Sequence, residues 1–219
     1  MEEIKKENII LEDGGIVNFK KLKKIVNSGI EKSICKIIFE DEVKEATGFF
    51  CDIKEYKLKA LITNNHVIDK EFIKNNKKLK IEIEEEEEKE KEINLELKRQ
   101  IMTDKKLDFT IIEILEDDDI KNYLEIDDDI YSKDYIDETI FACQYPGGDE
   151  LNYSHGKIKK KINDLYMHSI ETLGGSSGSP LLLFNNLKII GIHKGFIYDK
   201  NKNKIYICIP INIIIASIN

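Results

Sequence analysis

The sequence has few cysteines and no long apolar run, and both deficits narrow what the protein can be. Its four cysteines show no Cys-x-x-Cys spacing, so a zinc site is not expected. The N-terminal segment lacks the uninterrupted apolar core of a signal peptide, and no run reaches the length of a transmembrane helix. The sequence therefore predicts an intracellular, cytoplasmic protein whose thiols stay reduced.

Clustered positive charge is also missing from the chain. Its 34 lysine and arginine residues are outnumbered by 42 acidic residues, which gives a formal net charge of −8. Binding phosphates requires clustered basic side chains, whereas the lysines here are interleaved with glutamate and aspartate. A nucleic-acid partner is therefore not expected, and because no run reaches transmembrane length, neither is a membrane partner.

Short β-type runs dominate the rest of the pattern. The chain has 219 residues, of which 41% are hydrophobic, and no repeat period is visible. Apolar runs separated by polar turns predict an all-β fold of two antiparallel six-stranded β-barrels with short N- and C-terminal helices. The predicted order is an N-terminal segment 1–29 with an amphipathic helix, a first barrel 30–115, an acidic inter-barrel linker 116–138, a second barrel 139–209 and a C-terminal helix 210–219.

An acidic run lies between two predicted strands of the first barrel. It reads EEEEEKEKE, from Glu84 to Glu92, and alternating apolar segments precede and follow it. Two interpretations stay open: a solvated hairpin tip, or an acidic finger that docks a regulatory protein.

The segment GGSSGSP, from Gly174 to Pro180, carries the clearest chemical signal. A serine between glycines before a β-rich run sits on a sharp turn that exposes its hydroxyl and aims backbone N–H groups at one point, as acyl transfer requires. A histidine and an aspartate each stand next to an apolar run, in the chain order His66, Asp108, Ser177. In a triad of this order the serine attacks, the histidine moves its proton and the aspartate holds the imidazole.

Two other residues compete for these roles. Asp104 is a rival to Asp108, although it lies farther from the apolar strand and in a lysine-containing turn. The segment 174–178 also fits a G-x-S-x-G elbow with Ser176 as nucleophile, but that motif requires a doubly wound α/β sheet and the order Ser, Asp, His. The β-type runs and the observed order favour Ser177.

Five strings together resemble the signature blocks of trypsin-like serine proteases of the chymotrypsin fold. They are ATGFF at 46–50, LITNNHVI at 61–68, LDFTII at 107–112, GGSSGSPLLLF at 174–184 and IIGIHKG at 189–195. The resemblance implies a serine endopeptidase that acts on peptides or proteins without a metal or an organic cofactor. It also implies that the active site lies between the barrels and that the backbone N–H groups of Gly175 and Ser177 form the oxyanion hole.

The resemblance is closest to the compact glutamyl-endopeptidase branch, but it leaves the cleavage specificity open. Thr172, five residues before the nucleophile, and His193 match that branch and would receive a substrate Glu, Asp or Gln, with Gly195 also in the substrate-binding segment. Glu171 instead matches the pocket-floor position of trypsin-like enzymes, where an acid favours Lys or Arg.

Some residues depart from this family pattern. Ser176 stands where these proteases usually carry the acid that accepts a newly cleaved N-terminus, and the string GGIVN at 14–18 has no basic residue before it, so activation by that salt bridge is not expected. His155 and His168 are interpreted as strand or turn residues. Two hypotheses compete with the serine endopeptidase. The first is a non-catalytic scaffold that holds a peptide in the same cleft, and the second, less favoured, is an esterase.

Overall fold

The structure is a computed structural model, and it describes residues 27–39, 45–84 and 89–218. The predicted N-terminal helix and the string at 14–18 lie outside the described residues, as do residues 85–88 of the acidic run. Within the described ranges the chain forms fourteen β-strands and two short α-helices.

The first lobe is a curled sheet of eight strands. Seven of them follow the order β5-β4-β1-β2-β3-β7-β6, and β8 pairs in parallel with β2. A short helix, α1, follows β3 and is capped by the Asp69 side chain, which accepts the N–H of Phe72 at 2.7 Å. The elements are β1 (Ile34–Ile38), β2 (Glu45–Ile53), β3 (Leu58–Thr63), α1 (Lys70–Asn75), β4 (Lys78–Glu82), β5 (Glu90–Asn94), β6 (Ile101–Asp104), β7 (Phe109–Glu113) and β8 (Leu124–Glu125).

The second lobe is a closed antiparallel barrel of six strands, in the order β10-β11-β14-β13-β12-β9. A second helix, α2, follows the barrel directly and packs its buried isoleucines on the core. The elements are β9 (Thr139–Gln144), β10 (Asn152–Ile162), β11 (Leu165–His168), β12 (Pro180–Leu183), β13 (Ile189–Tyr198), β14 (Lys204–Pro210) and α2 (Ile211–Ile215).

The predicted fold class is confirmed, and the second barrel has the six strands predicted for it. The first lobe carries eight strands instead of six. The sequence pattern predicts one strand over INLELKRQIM at 93–102. This segment divides between β5 and β6 instead, because the Asn94 side chain accepts the N–H of Glu96 at 2.9 Å and turns the chain where β5 ends. The eighth strand, β8, lies inside the segment predicted as a linker.

Side-chain alternation along β2 joins the two lobes. Phe50 points into the interior of the first lobe, whereas Phe49 and Cys51 point to the opposite face. There they share an apolar cluster with Phe141 and Ile192 of the second lobe. A buried side chain of this size contributes about 1.5–3 kcal/mol, so this cluster is a substantial link between the lobes.

The four cysteines are free and buried, and burial raises the pKa of each thiol above its ordinary value. Of the helices in the described residues, neither is long and apolar enough to cross a membrane.

Candidate active site

His66 lies on a tight turn that follows β3. The N–H groups of Val67 and Ile68 both donate to the Asn64 carbonyl, at 3.2 and 3.1 Å. The Asn64 side chain is fully buried and donates to the carbonyl of Asp108 at 3.1 Å. The His66 side chain, by contrast, is 45% exposed. The buried Asn64 side chain therefore fixes the turn to Asp108, and the His66 imidazole is exposed at the surface.

Asp108 holds His66 through both backbone and side chain. Its Oδ1 accepts the backbone N–H of His66 at 2.9 Å, and its Oδ2 lies 3.0 Å from the imidazole Nδ1. Burial by itself raises the pKa of Asp108, but the hydrogen bonds and charge of His66, with a smaller contribution from the charge of Lys194, bring it below its ordinary value. The carboxylate is therefore ionised at neutral pH.

Asp104, the other candidate for the triad aspartate, forms hydrogen bonds within the turn that follows β6 instead of contacting His66. Its Oδ1 accepts the N–H groups of Lys106 and Leu107 at 2.7 and 2.8 Å, and its carbonyl accepts the N–H of Asp108 at 2.8 Å. These bonds close the turn that sets Asp108 in a left-handed conformation, φ 67°, directly before β7. Asp104 thus supports Asp108 and does not replace it at His66.

Lys194 is a charged neighbour that sequence reasoning missed. Its Nζ lies 3.6 Å from Oδ2 of Asp108, and its side chain is 27% exposed. The contact joins β13 of the second lobe to the turn before β7 of the first lobe. A sequence contains no signal for a pair of this kind, because it depends on how the lobes pack.

The segment that leads into Ser177 is a β-turn between β11 and β12. The N–H of Ser176 donates to the Leu173 carbonyl at 3.2 Å, and Gly175 has φ +89° whereas the φ of Gly174 is not positive, which defines a type II turn. Ser176 is fully buried, and its Oγ accepts the N–H of Leu173 at 3.2 Å. Ser177 is only half-buried. Of the two serines, Ser177 is the one a substrate can reach.

The orientation of this turn favours an oxyanion hole at the Gly175 N–H. The carbonyl of Gly174 accepts the N–H of Gly147, and in a trans peptide the next N–H points the opposite way. The Gly175 N–H is therefore directed away from Gly147. A Cβ at position 175 would lie 2.2 Å from the carbonyl oxygen of Tyr145, so only glycine fits there.

Two buried histidines lie side by side in the second barrel. His193 Nδ1 is 3.1 Å from His168 Nε2, and the two rings meet edge to face with centroids 5.2 Å apart. His168 also stacks on Tyr206, with centroids 5.9 Å apart. The prediction that His168 is a strand residue is correct, but its pairing with His193 was missed. Alternation along β11 could have signalled its burial, because Tyr166 and His168 share the inward face.

Both histidines are neutral at physiological pH. Burial, with a smaller contribution from the charge of His66, lowers the pKa of His193 to about 3. Burial and the neighbouring His193 lower the pKa of His168 well below its ordinary value, and the nearby Ile207 carbonyl offsets this only in part. The N–H of Ile170 donates to Nδ1 of His168 at 3.2 Å, so the ring proton of His168 sits on Nε2, facing His193.

The remaining candidates for substrate binding, Glu171, Thr172 and Gly195, are close in sequence to His168 or His193. Thr172 is buried on the segment that leads to the turn at 173–176, whereas Glu171 beside it is exposed. The Glu171 carbonyl accepts the side-chain N–H of Gln144 at 3.2 Å. Gly195 lies at a bulge of β13 with φ +144°, a conformation that L side chains rarely adopt.

Solved structures with the same fold share little sequence with this chain. The active form of the Rv3671c protease from M. tuberculosis has a TM-score of 0.67 at 16% identity, over 91% of this chain and 85% of that one. Deg5 has a TM-score of 0.67 at 17% identity, over 91% and 94%. The serine endoprotease from Yersinia pestis has a TM-score of 0.67 at 14% identity, over 91% of this chain and 65% of that chain. No curated protein gives a significant match.

A family match places the chain more specifically than these structural likenesses do. The family described as Trypsin-like peptidase domain matches residues 46–192, well over half of the 219 residues. The matched range contains His66, Asp108 and Ser177 and ends one residue before His193. The chain belongs to the trypsin-like peptidase domain family and is a serine endopeptidase.

Proposed function

We propose that His66, Asp108 and Ser177 form the catalytic triad of this peptidase. The contact of 3.0 Å between the His66 Nδ1 and Asp108 carries the proposal. With the Nδ1 proton donated to the carboxylate, Nε2 is left unprotonated and able to accept a proton from a serine. Strand β13 also supports the assignment, because it contacts both the serine segment and Asp108. The His193 carbonyl accepts the N–H of Gly178 at 3.1 Å, and the adjacent Lys194 lies 3.6 Å from Asp108.

In the proposed reaction the Ser177 Oγ attacks the peptide carbonyl while His66 Nε2 takes its proton. The carbonyl oxygen becomes an oxyanion, which accepts hydrogen bonds from the backbone N–H groups of Gly175 and Ser177. Collapse of this intermediate breaks the C–N bond, and His66 returns the proton to the leaving amine. A water molecule then attacks the acyl-enzyme, again with His66 as base, and releases the acid product and free Ser177.

We further propose that the enzyme is of the glutamyl-endopeptidase type and cleaves after Glu, Asp or Gln. The histidine pair supports this. Because His168 presents its Nε2 proton to Nδ1 of His193, the proton of neutral His193 sits on its own Nε2. That N–H suits a substrate carboxylate or amide oxygen. A buried polar donor of this kind discriminates strongly against apolar substrates, which would leave it unpaired.

A cleavage profile on a peptide library tests both proposals together. Wild-type protein should cleave after Glu, Asp or Gln, and Ser177→Ala, which removes a half-buried hydroxyl and leaves little cavity, should fold normally and cleave nothing. Circular dichroism of the variant confirms the fold. Cleavage after Lys or Arg would support the specificity implied by Glu171 instead. A folded Ser177→Ala variant with undiminished turnover would refute the triad.

We also propose that the enzyme works inside the cell, where thiols stay reduced. The four buried free cysteines support this, since secreted proteins of this size commonly oxidise cysteines to disulfides. Fractionation of the source cells with an antibody to the protein tests it, and recovery only from the medium would refute it.

A further inference from the structure

Two hydrogen bonds join Thr47 of the first lobe to the segment 173–177 of the second lobe, the nucleophile turn. It lies on β2 and is fully buried. Its hydroxyl donates to the Gly175 carbonyl at 2.8 Å, and its backbone N–H donates to the Ser177 carbonyl at 3.0 Å. These carbonyls belong to the two residues whose N–H groups form the proposed oxyanion hole.

The direction of the hydroxyl bond is fixed. The Thr47 Oγ1 accepts the N–H of Tyr145 at 3.1 Å, so its single proton is left for the Gly175 carbonyl. The Thr47 carbonyl in turn accepts the buried hydroxyl of Thr63 at 2.9 Å. Every polar atom of Thr47 is therefore satisfied, and the residue is held rigidly between β3, Tyr145 and the turn.

The turn itself depends on such external anchors. Its peptide planes are set by bonds to four successive carbonyls, of which Gly174 is held by Gly147 and Ser176 by Ser179. Thr47 holds the other two, at Gly175 and Ser177. The buried Oγ of Ser176 accepts the N–H of Leu173, a bond inside the turn.

We propose that Thr47, on the first lobe, is a positioning residue. It keeps the nucleophile turn of the second lobe in the orientation that stabilises the oxyanion. The proposal rests on the proposed triad and oxyanion hole. Without the hydroxyl, the Gly175 carbonyl and the Tyr145 N–H are both left buried and unpaired, a costly arrangement. Two consecutive glycines give the turn the freedom to rotate and relieve it. The Gly175 carbonyl shares its peptide plane with the Ser176 N–H, and that plane lies between the two peptides that carry the Gly175 and Ser177 N–H groups. Its rotation would therefore displace these two donors from the oxyanion, which weakens binding of the transition state more than binding of the substrate.

Thr47→Val tests the hydroxyl because it conserves volume. The loss of one oxyanion donor lowers kcat about 10²- to 10³-fold in other serine proteases, so a turn that is displaced part of the time should lower kcat about 10- to 100-fold with KM nearly unchanged. Affinity for a peptide boronic acid, which forms an oxyanion-like adduct, should fall by a similar factor, whereas affinity for the cleaved peptide product should not. Thr47→Ser, which keeps the hydroxyl, should restore kcat to within about threefold.

Tyr135→Phe is the matched control. It also removes one buried hydroxyl without changing volume, and that hydroxyl donates to Asp127, away from the nucleophile turn. It should lower the melting temperature and leave kcat unchanged. If Thr47→Val does not fold, Thr47→Cys tests the same role. The thiol is a weaker hydrogen-bond donor than the hydroxyl, so kcat of the Cys variant should be lower than that of Thr47→Ser but still measurable.

Two failures are distinguishable. A wild-type protein that neither turns over peptides nor reacts with a fluorophosphonate would overturn the proposed function itself. An active wild type whose Thr47→Val or Thr47→Cys variant keeps kcat within about twofold, with only a lower melting temperature, would overturn the role of Thr47 alone.

Discussion

Replacing His193 with alanine should change which peptides the enzyme accepts more than whether it is active. His193 is 2% exposed, and its Nε2 proton is the donor proposed for the substrate side chain. A hydrogen bond to a charged group is worth about 1.5–3 kcal/mol, so kcat/KM for a Glu substrate should fall about 10- to 150-fold. Leu at the same position makes no such bond, and its kcat/KM should change little or rise.

The assay uses fluorogenic peptides that differ only in the residue before the scissile bond: Glu, Gln, Leu and Lys. Labelling by a fluorophosphonate, which carries no side chain for the pocket, should proceed at nearly the wild-type rate in His193→Ala. Glu171→Gln is the comparison variant and should keep the preference for Glu and Gln. A profile dominated by Lys, abolished in Glu171→Gln and unchanged in His193→Ala, would refute the assignment of the pocket.

The charges around the site give two predictions about pH. Because burial keeps His168 and His193 neutral, the folded chain binds fewer protons than the unfolded chain below about pH 6.5. The free energy of unfolding should therefore fall as the pH falls from about 6.5 toward the His193 pKa of about 3, with His168 adding to the loss. Urea unfolding followed by circular dichroism should show a shallower loss in His168→Phe; equal slopes would contradict this. Lys194→Met should raise the pKa of Asp108, because the charge of Lys194 contributes to lowering it; NMR titration of the Asp108 carboxyl checks this, and a lower pKa in the variant would contradict it.

Much of this architecture could be predicted from the sequence because its signals are local. Alternating apolar runs define the six strands of the second barrel, and Gly175 and Gly178 mark a turn that only glycine can form, since a Cβ on Gly178 would lie 2.1 Å from the Thr47 carbonyl oxygen. The split of one run into β5 and β6 was missed, because the turn there depends on a single Asn94 side chain.

The other contacts that were missed join elements distant in the chain. His168 and His193 are 25 residues apart, and Thr47 and Gly175 are 128 apart. A sequence shows the periodicity of each strand, but it does not show which inward-facing side chains meet across a barrel or between lobes. Tyr166 and His168 on one face of β11 indicated burial, but nothing in the sequence identified His193 as the partner.

The central claim is that Ser177 is a nucleophile activated by His66. Mass spectrometry of the protein after reaction with a fluorophosphonate tests it most directly. The account predicts one adduct, located on Ser177 by fragmentation, absent in Ser177→Ala and formed at least about a hundredfold more slowly in His66→Ala. An adduct on Ser176, or labelling of Ser177 at an undiminished rate without His66, would contradict it.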